Sequence, residues 1–244
     1  MSLILVFLAF GLGGILKGAT GAGAPIIAVP VMTIFFGAPF AVAVFAIPNL
    51  VTNIWQGWSF RRHALASPLT LHFAVAGALG AGIGSFMLAW LPTEALNLTV
   101  ALSVLAYAGF RVLRPGWTLS LARAEALAAP VGILGGILQG AAGLSAPVSL
   151  SFLNALKLER VQFIFTISVF FFAMAVVQIP LLTGLGILTG ERFVISCLAL
   201  IPLMATMPLG SWLGRRISAS TFDRVILGLL TVLALRLVWQ AVAG

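Results

Sequence analysis

The chain has 244 residues, 61% hydrophobic and 7% charged, with a mean hydropathy of +1.19 and a formal net charge of +8. A water-soluble domain carries about 25% charged residues, so this chain has too few to cover a water-facing surface. Its basic residues stand singly or in pairs between apolar spans, which excludes the continuous basic face that a nucleic acid needs.

Apolar stretches of roughly 20 residues follow one another, the length that crosses a bilayer. The alternation of a membrane β-barrel is absent. The expected class is an all-α polytopic membrane protein surrounded by lipid. The single cysteine, Cys197, rules out an internal disulfide framework and falls in an apolar span, where it reads as a packing residue. The first ten residues, MSLILVFLAF, lack a basic n-region and do not read as a cleaved signal peptide.

Taken in order, the first half reads as five segments at 2–16, 24–36, 39–59, 69–91 and 94–113. The second half reads as five more, at 125–138, 146–156, 161–183, 193–213 and 221–242. The units are thus 1–113 and 125–244, joined by a cytoplasmic linker at 114–124. The first two segments of each unit are short. At 1.5 Å per residue, 2–16 covers roughly 22 Å and 24–36 roughly 20 Å, against a hydrocarbon core of about 30 Å. Tilted short helices and a re-entrant hairpin both fit that length.

The two units repeat. Gly13–Pro25 reads GGILKGATGAGAP and Gly135–Pro147 reads GGILQGAAGLSAP, with nine identities at a displacement of 122, half the chain. Gln56 and Gln178 keep that displacement, and Gly84-Ser85 matches Gly210-Ser211 at 126. Lys and Arg accumulate in cytoplasmic loops. With the N-terminus outside and one crossing per segment, 11 of the 13 fall on the cytoplasmic side, and only Arg192 and Arg236 fall outside. Both termini are then external. An odd number of crossings per unit makes the halves inverted-topology repeats, the plan of many secondary transporters with a substrate site near the midplane.

The repeated stretch suggests what the site would bind. Gly21 and Gly23, with Thr20 between small neighbours, leave the backbone approachable, and Pro25 suits the first turn of a helix. Gly143, Ser145 and Pro147 repeat the arrangement. Helix N-termini with free N–H groups attract anions, and two such ends facing one another would form a small anion site. Close helix packing by small residues is the competing reading. Lys17 either adds charge to that site or snorkels to the interface; the second copy has Gln139 in its place. Asn49, Thr52, Asn53 and Gln56 share one face of the third segment, with Gln178 in its counterpart, and either line a substrate path or join helices.

The acids all lie near segment ends, so no buried carboxylate relay is expected. His63, His72 and Cys197 form no metal cluster. A nucleophile elbow and a P-loop are both missing. The chain is therefore not expected to be an enzyme or to carry a cofactor.

The whole pattern resembles the sulfite exporter TauE/SafE family, which includes toluenesulfonate-uptake permease-like transporters. The resemblance rests on GGILKGATGAGAP followed by Val29-Pro30, on FRRHALAS, on GALGAGIGS with a turn at Pro92, and on the weaker second copy. It departs from the family pattern at Ala22 and Ala24, where the glycine cluster is often tighter, and at Ala46-Ile47-Pro48-Asn49, where small hydroxyl residues are common. The resemblance implies a bacterial inner-membrane permease for sulfite or an organosulfonate such as sulfoacetate. Residues alone carry the expectation as far as a small-anion secondary transporter working by alternating access. A passive anion channel and a membrane-embedded transferase are its rivals. A coupling ion (proton or sodium) and a homo-oligomer are compatible partners.

Overall fold

The computed structural model describes residues 3–113 and 116–216, with Gly228, Val232, Leu235, Arg236 and Trp239 beyond them. The expected tenth segment, 221–242, lies largely outside the described residues. The described elements are α1 (Leu3–Thr20), α2 (Ala24–Phe36), α3 (Ala38–Ser59), a 3-10 turn at Arg61–His63, α4 (Leu69–Trp90), α5 (Thr93–Leu113), α6 (Leu121–Ala142), α7 (Ala146–Ala155), α8 (Arg160–Gly184) and α9 (Gly190–Arg216). Among the described residues, seven helices are long and apolar enough to cross a membrane. Together these features make the chain an all-helical, multi-pass membrane protein.

Three elements are longer than their sequence suggests, α9 by three residues at each end. α1 runs through Lys17 to Thr20, 18 residues or roughly 27 Å, and α6 starts at Leu121 and covers 22 residues, roughly 33 Å. Among the described α-helices only α2 (13 residues) and α7 (10 residues) are short. The reason for α1 is local. Gly18 lies against the backbone of Met207, and Lys17 has a buried hydrogen-bond partner, so neither residue stops the helix. At α6, the Ala124 N–H donates to the Ser120 carbonyl (3.0 Å), and Ala124 is fully buried, which draws the start of the helix four residues earlier.

The duplication reappears as contacts. α1 packs along α9, and α4 packs along α6. A Cβ built on Gly14 would overlap the Leu203 carbonyl oxygen; one on Gly18, that of Met207; one on Gly210, that of Ile15. In the other pair, Gly136 meets the Gly77 carbonyl oxygen, Gly140 that of Ala81, and Gly84 that of Ile137. The displacements of 122 and 126 that align the two sequences convert one set of contacts into the other. Each is a glycine-lined interface in which backbones touch, the close approach that small residues permit in membranes. At one register the match is chemical rather than steric. Gly80 meets the Ile133 carbonyl, whereas its counterpart Thr206 donates from Oγ1 to the Gly11 carbonyl (2.7 Å).

Contact order gives the helix directions. Gly132, Gly136 and Gly140 meet Phe73, Gly77 and Ala81 in turn, so α4 and α6 run parallel, as do α1 and α9. α8 also runs parallel to α4, through Thr70–Thr166, Gly77–Phe170 and Gly82–Val177. Since α6 and α8 run the same way, α7 with residues 156–159 makes the return between them. α3 and α8 occupy the centre, packing on each other, with α9 against α3 and α4 against α8.

Pro48 interrupts α3. A proline has no N–H, so the carbonyl four residues earlier, at Val44, loses its helical partner. Ser196 of α9 occupies the break. Its Oγ donates to the Val44 carbonyl (2.7 Å) and accepts from the Ile47 N–H (3.2 Å). The side that α3 opens is thereby closed by a fully buried hydroxyl from another helix.

Candidate functional site

The two copies of the glycine stretch form two tight tips with the same backbone. Gly21 (φ 88°) and Gly143 (φ 68°) both take the left-handed conformation, which a side chain would strain. Gly23 and Ser145 then stand before helices that begin with Pro25 and Pro147 in their first turns. Gly21 faces Ile164 of α8, and Gly143 faces Val42 of α3, again a pair related by 122. Thr20 is a local brace: its Oγ1 donates to the Leu16 carbonyl (2.8 Å) and accepts from the Ala22 N–H (3.4 Å).

At the first tip, Lys17 is 2% exposed. It does not snorkel. Its Nζ donates to Asn53 Oδ1 (2.9 Å) and lies 6.0 Å from the centre of the Phe171 ring, close to the midpoint of α8. Asn53 Nδ2 in turn donates to the Asn49 carbonyl (2.7 Å) and to Asn49 Oδ1 (2.8 Å). Asn49, Thr52, Asn53 and Gln56 of α3 are all buried, and Asn49 and Asn53 organise the lysine. Thr52 only bonds its own helix, at the Pro48 carbonyl (2.6 Å). Gln56 Oε1 has no hydrogen-bond partner among the described residues. No carboxylate pairs with Lys17 among the described residues.

The second tip uses its equivalent residue differently. Gln139 Oε1 accepts from the Ser145 N–H (3.3 Å), so the side chain folds back onto the start of α7. Gln178 Nε2 donates to the Gln139 carbonyl (3.4 Å), and Ser145 Oγ lies 3.0 Å from Ser149 Oγ. One of the free N–H groups at this helix start is already occupied by the protein.

The polar residues thus form two clusters: Lys17 with Asn53 and Asn49, and Gln139 with Ser145 and Gln178. α8 touches the first tip at Ile164 and the second cluster at Gln178, fourteen residues or roughly 21 Å apart along its axis. Gly143 of the second tip also lies against Val29, five residues into the helix that the first tip starts. What reaches toward the centre from the first tip is the Lys17 side chain.

Three contributors carry no obvious signal in the sequence. Arg160 Nη2 donates to the Gly18 and Ala19 carbonyls (3.3 and 3.2 Å), and Ser211 Oγ donates to the Gly18 carbonyl (3.0 Å). Together they satisfy carbonyls that a helix C-terminus leaves open. They also place the end of α1 beside the start of α8 and the last turns of α9. Phe171, beside the lysine, is the third; it stands 122 positions after Asn49, so the repeat pairs an amide with a ring.

Among the described residues no group of His, Cys, Asp or Glu could hold a metal ion. Neither a curated protein nor a solved structure matches the chain. The family model for the sulfite exporter TauE/SafE, however, matches residues 5–237, nearly the whole chain and both copies of the tip, and the chain belongs to that family of membrane transporters.

Proposed function

We propose that the protein is a secondary transporter for a small anion, sulfite or an organosulfonate, in a bacterial inner membrane with both termini outside. One observation carries the anion: Lys17 is buried among helices with an amide as its hydrogen-bond partner and no acid beside it among the described residues. A buried cation without a counter-charge is expensive, and proteins pair such groups. A substrate anion supplies the missing charge. Asn53, held by Asn49, presets the lysine head group, so the cation needs little reorganisation when the anion arrives.

Alternating access by inverted halves is supported by the directions of the central helices. Gly57 near the end of α3 lies against Ser168 in the first half of α8, while Val42 near the start of α3 lies on the side of Gly143 and Gln178. These corresponding helices therefore run antiparallel, as inversion requires. In this reading the lysine end is cytoplasmic, the side to which Arg61, Arg62, Arg160, Arg215 and Arg216 also belong. The interfacial Arg61–Trp58 and Arg216–Trp212 stacks (4.2 and 4.3 Å) suit that boundary.

Flux of labelled sulfite and of a labelled sulfonate into proteoliposomes tests the reading. A transporter gives saturable flux that depends on a proton or sodium gradient. Uncoupled flux that grows linearly with the anion gradient would make the protein a channel.

A further inference from the structure

A cleft of about 270 Å³ opens between α3 and α8. Asn53 and Ser168 form its buried floor, and Ile54, Trp58 and Phe172 supply exposed apolar walls. Gly57 keeps it open: a Cβ there would stand 3.9 Å from the Ser168 Cβ, an ordinary contact that uses space now empty.

Two observations point to a ligand. Asn53 belongs both to the cleft and to the lysine cluster, since its Oδ1 accepts from Lys17 Nζ. An anionic group at Lys17 therefore has this cleft as the direction into which a larger molecule extends. Second, Ser168 is fully buried, yet its Oγ has no hydrogen-bond partner among the described residues. Buried hydroxyls are nearly always paired, and a polar atom of a bound molecule would complete this one.

We propose that the α3–α8 cleft is a specificity subsite for the apolar body of an organic monoanion, with Ser168 donating to one of the ligand's oxygens and the charged group lying at Lys17. The proposal rests on the anion-transport reading above and adds to it the shape of the substrate. An apolar cavity of about 150 Å³ is enough to take benzene, so this cleft holds one ring or a short alkyl chain together with the atoms joining it to the charge. Inorganic anions would leave it unfilled.

The test is binding of a graded series to the purified full chain: sulfite, methanesulfonate, butanesulfonate and benzenesulfonate. The wild type is expected to favour benzenesulfonate over methanesulfonate by about tenfold or more, the discrimination that a single methylene in an apolar pocket provides. Gly57→Leu, which fills the cleft, is expected to bring that ratio near unity. Gly57→Ala adds one methyl at an uncrowded position and gives an intermediate ratio, so the outcome does not depend on whether the larger variant folds. Equal affinity for the two sulfonates in the wild type would overturn the subsite and leave the transport reading intact. So would a ratio that neither Gly57 variant changes; co-purifying phospholipid lost only from Gly57→Leu would then identify the cleft as a lipid seam. If the wild type binds none of the four anions, the transport reading itself falls and the subsite with it.

Discussion

At the scale of single residues, Lys17 and Gln139 occupy equivalent positions and do opposite things. Lys17 reaches away from its tip to Asn53, whereas Gln139 turns back and caps the next helix. Substitutions should separate the two roles. Lys17→Met is expected to weaken sulfite or sulfonate binding at least tenfold, since a hydrogen bond to a charged group is worth about 1.5–3 kcal/mol. Calorimetric titration of the purified variant reads this directly, and unchanged affinity would remove Lys17 from the site. Gln139→Ala should instead cost about 1 kcal/mol of stability through loss of the helix-start bond, with little change in affinity. Thermal unfolding in detergent distinguishes that from a binding defect. The sequence makes this asymmetry visible, because the repeat aligns a lysine with a glutamine. It does not say where either side chain goes. Lys17 lies one turn from the end of α1, a position from which snorkelling is equally available. What decides is Asn53, 36 positions away and buried on α3.

At the scale of elements, the repeat legible in the letters is also the packing code. Gly14, Gly18, Gly136 and Gly140 all sit where a methyl group would meet a backbone oxygen, and the register of those contacts follows from the same two displacements that align the sequences. Helix ends are less legible, because glycine and lysine resemble stop signals unless their tertiary partners are known. The least legible feature is the break in α3. Pro48 announces that a carbonyl will be free, but nothing local identifies Ser196 as its partner. A double-mutant cycle tests that assignment. Ser196→Ala should destabilise the protein by about 1 kcal/mol when Pro48 is present, the usual worth of such a bond. In the Pro48→Ala background the helix can supply its own N–H to Val44, and the cost should shrink. A coupling energy below about 0.3 kcal/mol, the level of ordinary additivity, would mean that Ser196 merely sits beside the break.

For the molecule as a whole, the decisive question is whether α7 carries the chain across the bilayer. Ala64, after the 3-10 turn, and Gly190, at the start of α9, hold corresponding places in the two halves at the 126-residue displacement. Between them lie α4, α5, α6, α7 and α8. If all five cross, the count is odd and the two sites lie on opposite faces; if α7 only dips in and out, the count is even and they share a face. The parallel run of α6 and α8 favours the first outcome, since some segment must return the chain between them, and at 10 residues α7 is the helix available. Both positions are exposed, and a side chain at Gly190 meets nothing within 4 Å. In a Cys197→Ser background, Ala64→Cys should therefore react with a membrane-impermeant maleimide only after the cytoplasmic face is opened, and Gly190→Cys should react in intact cells. Labelling of both from one side would make the halves parallel repeats, and would remove the symmetry on which alternating access between them depends.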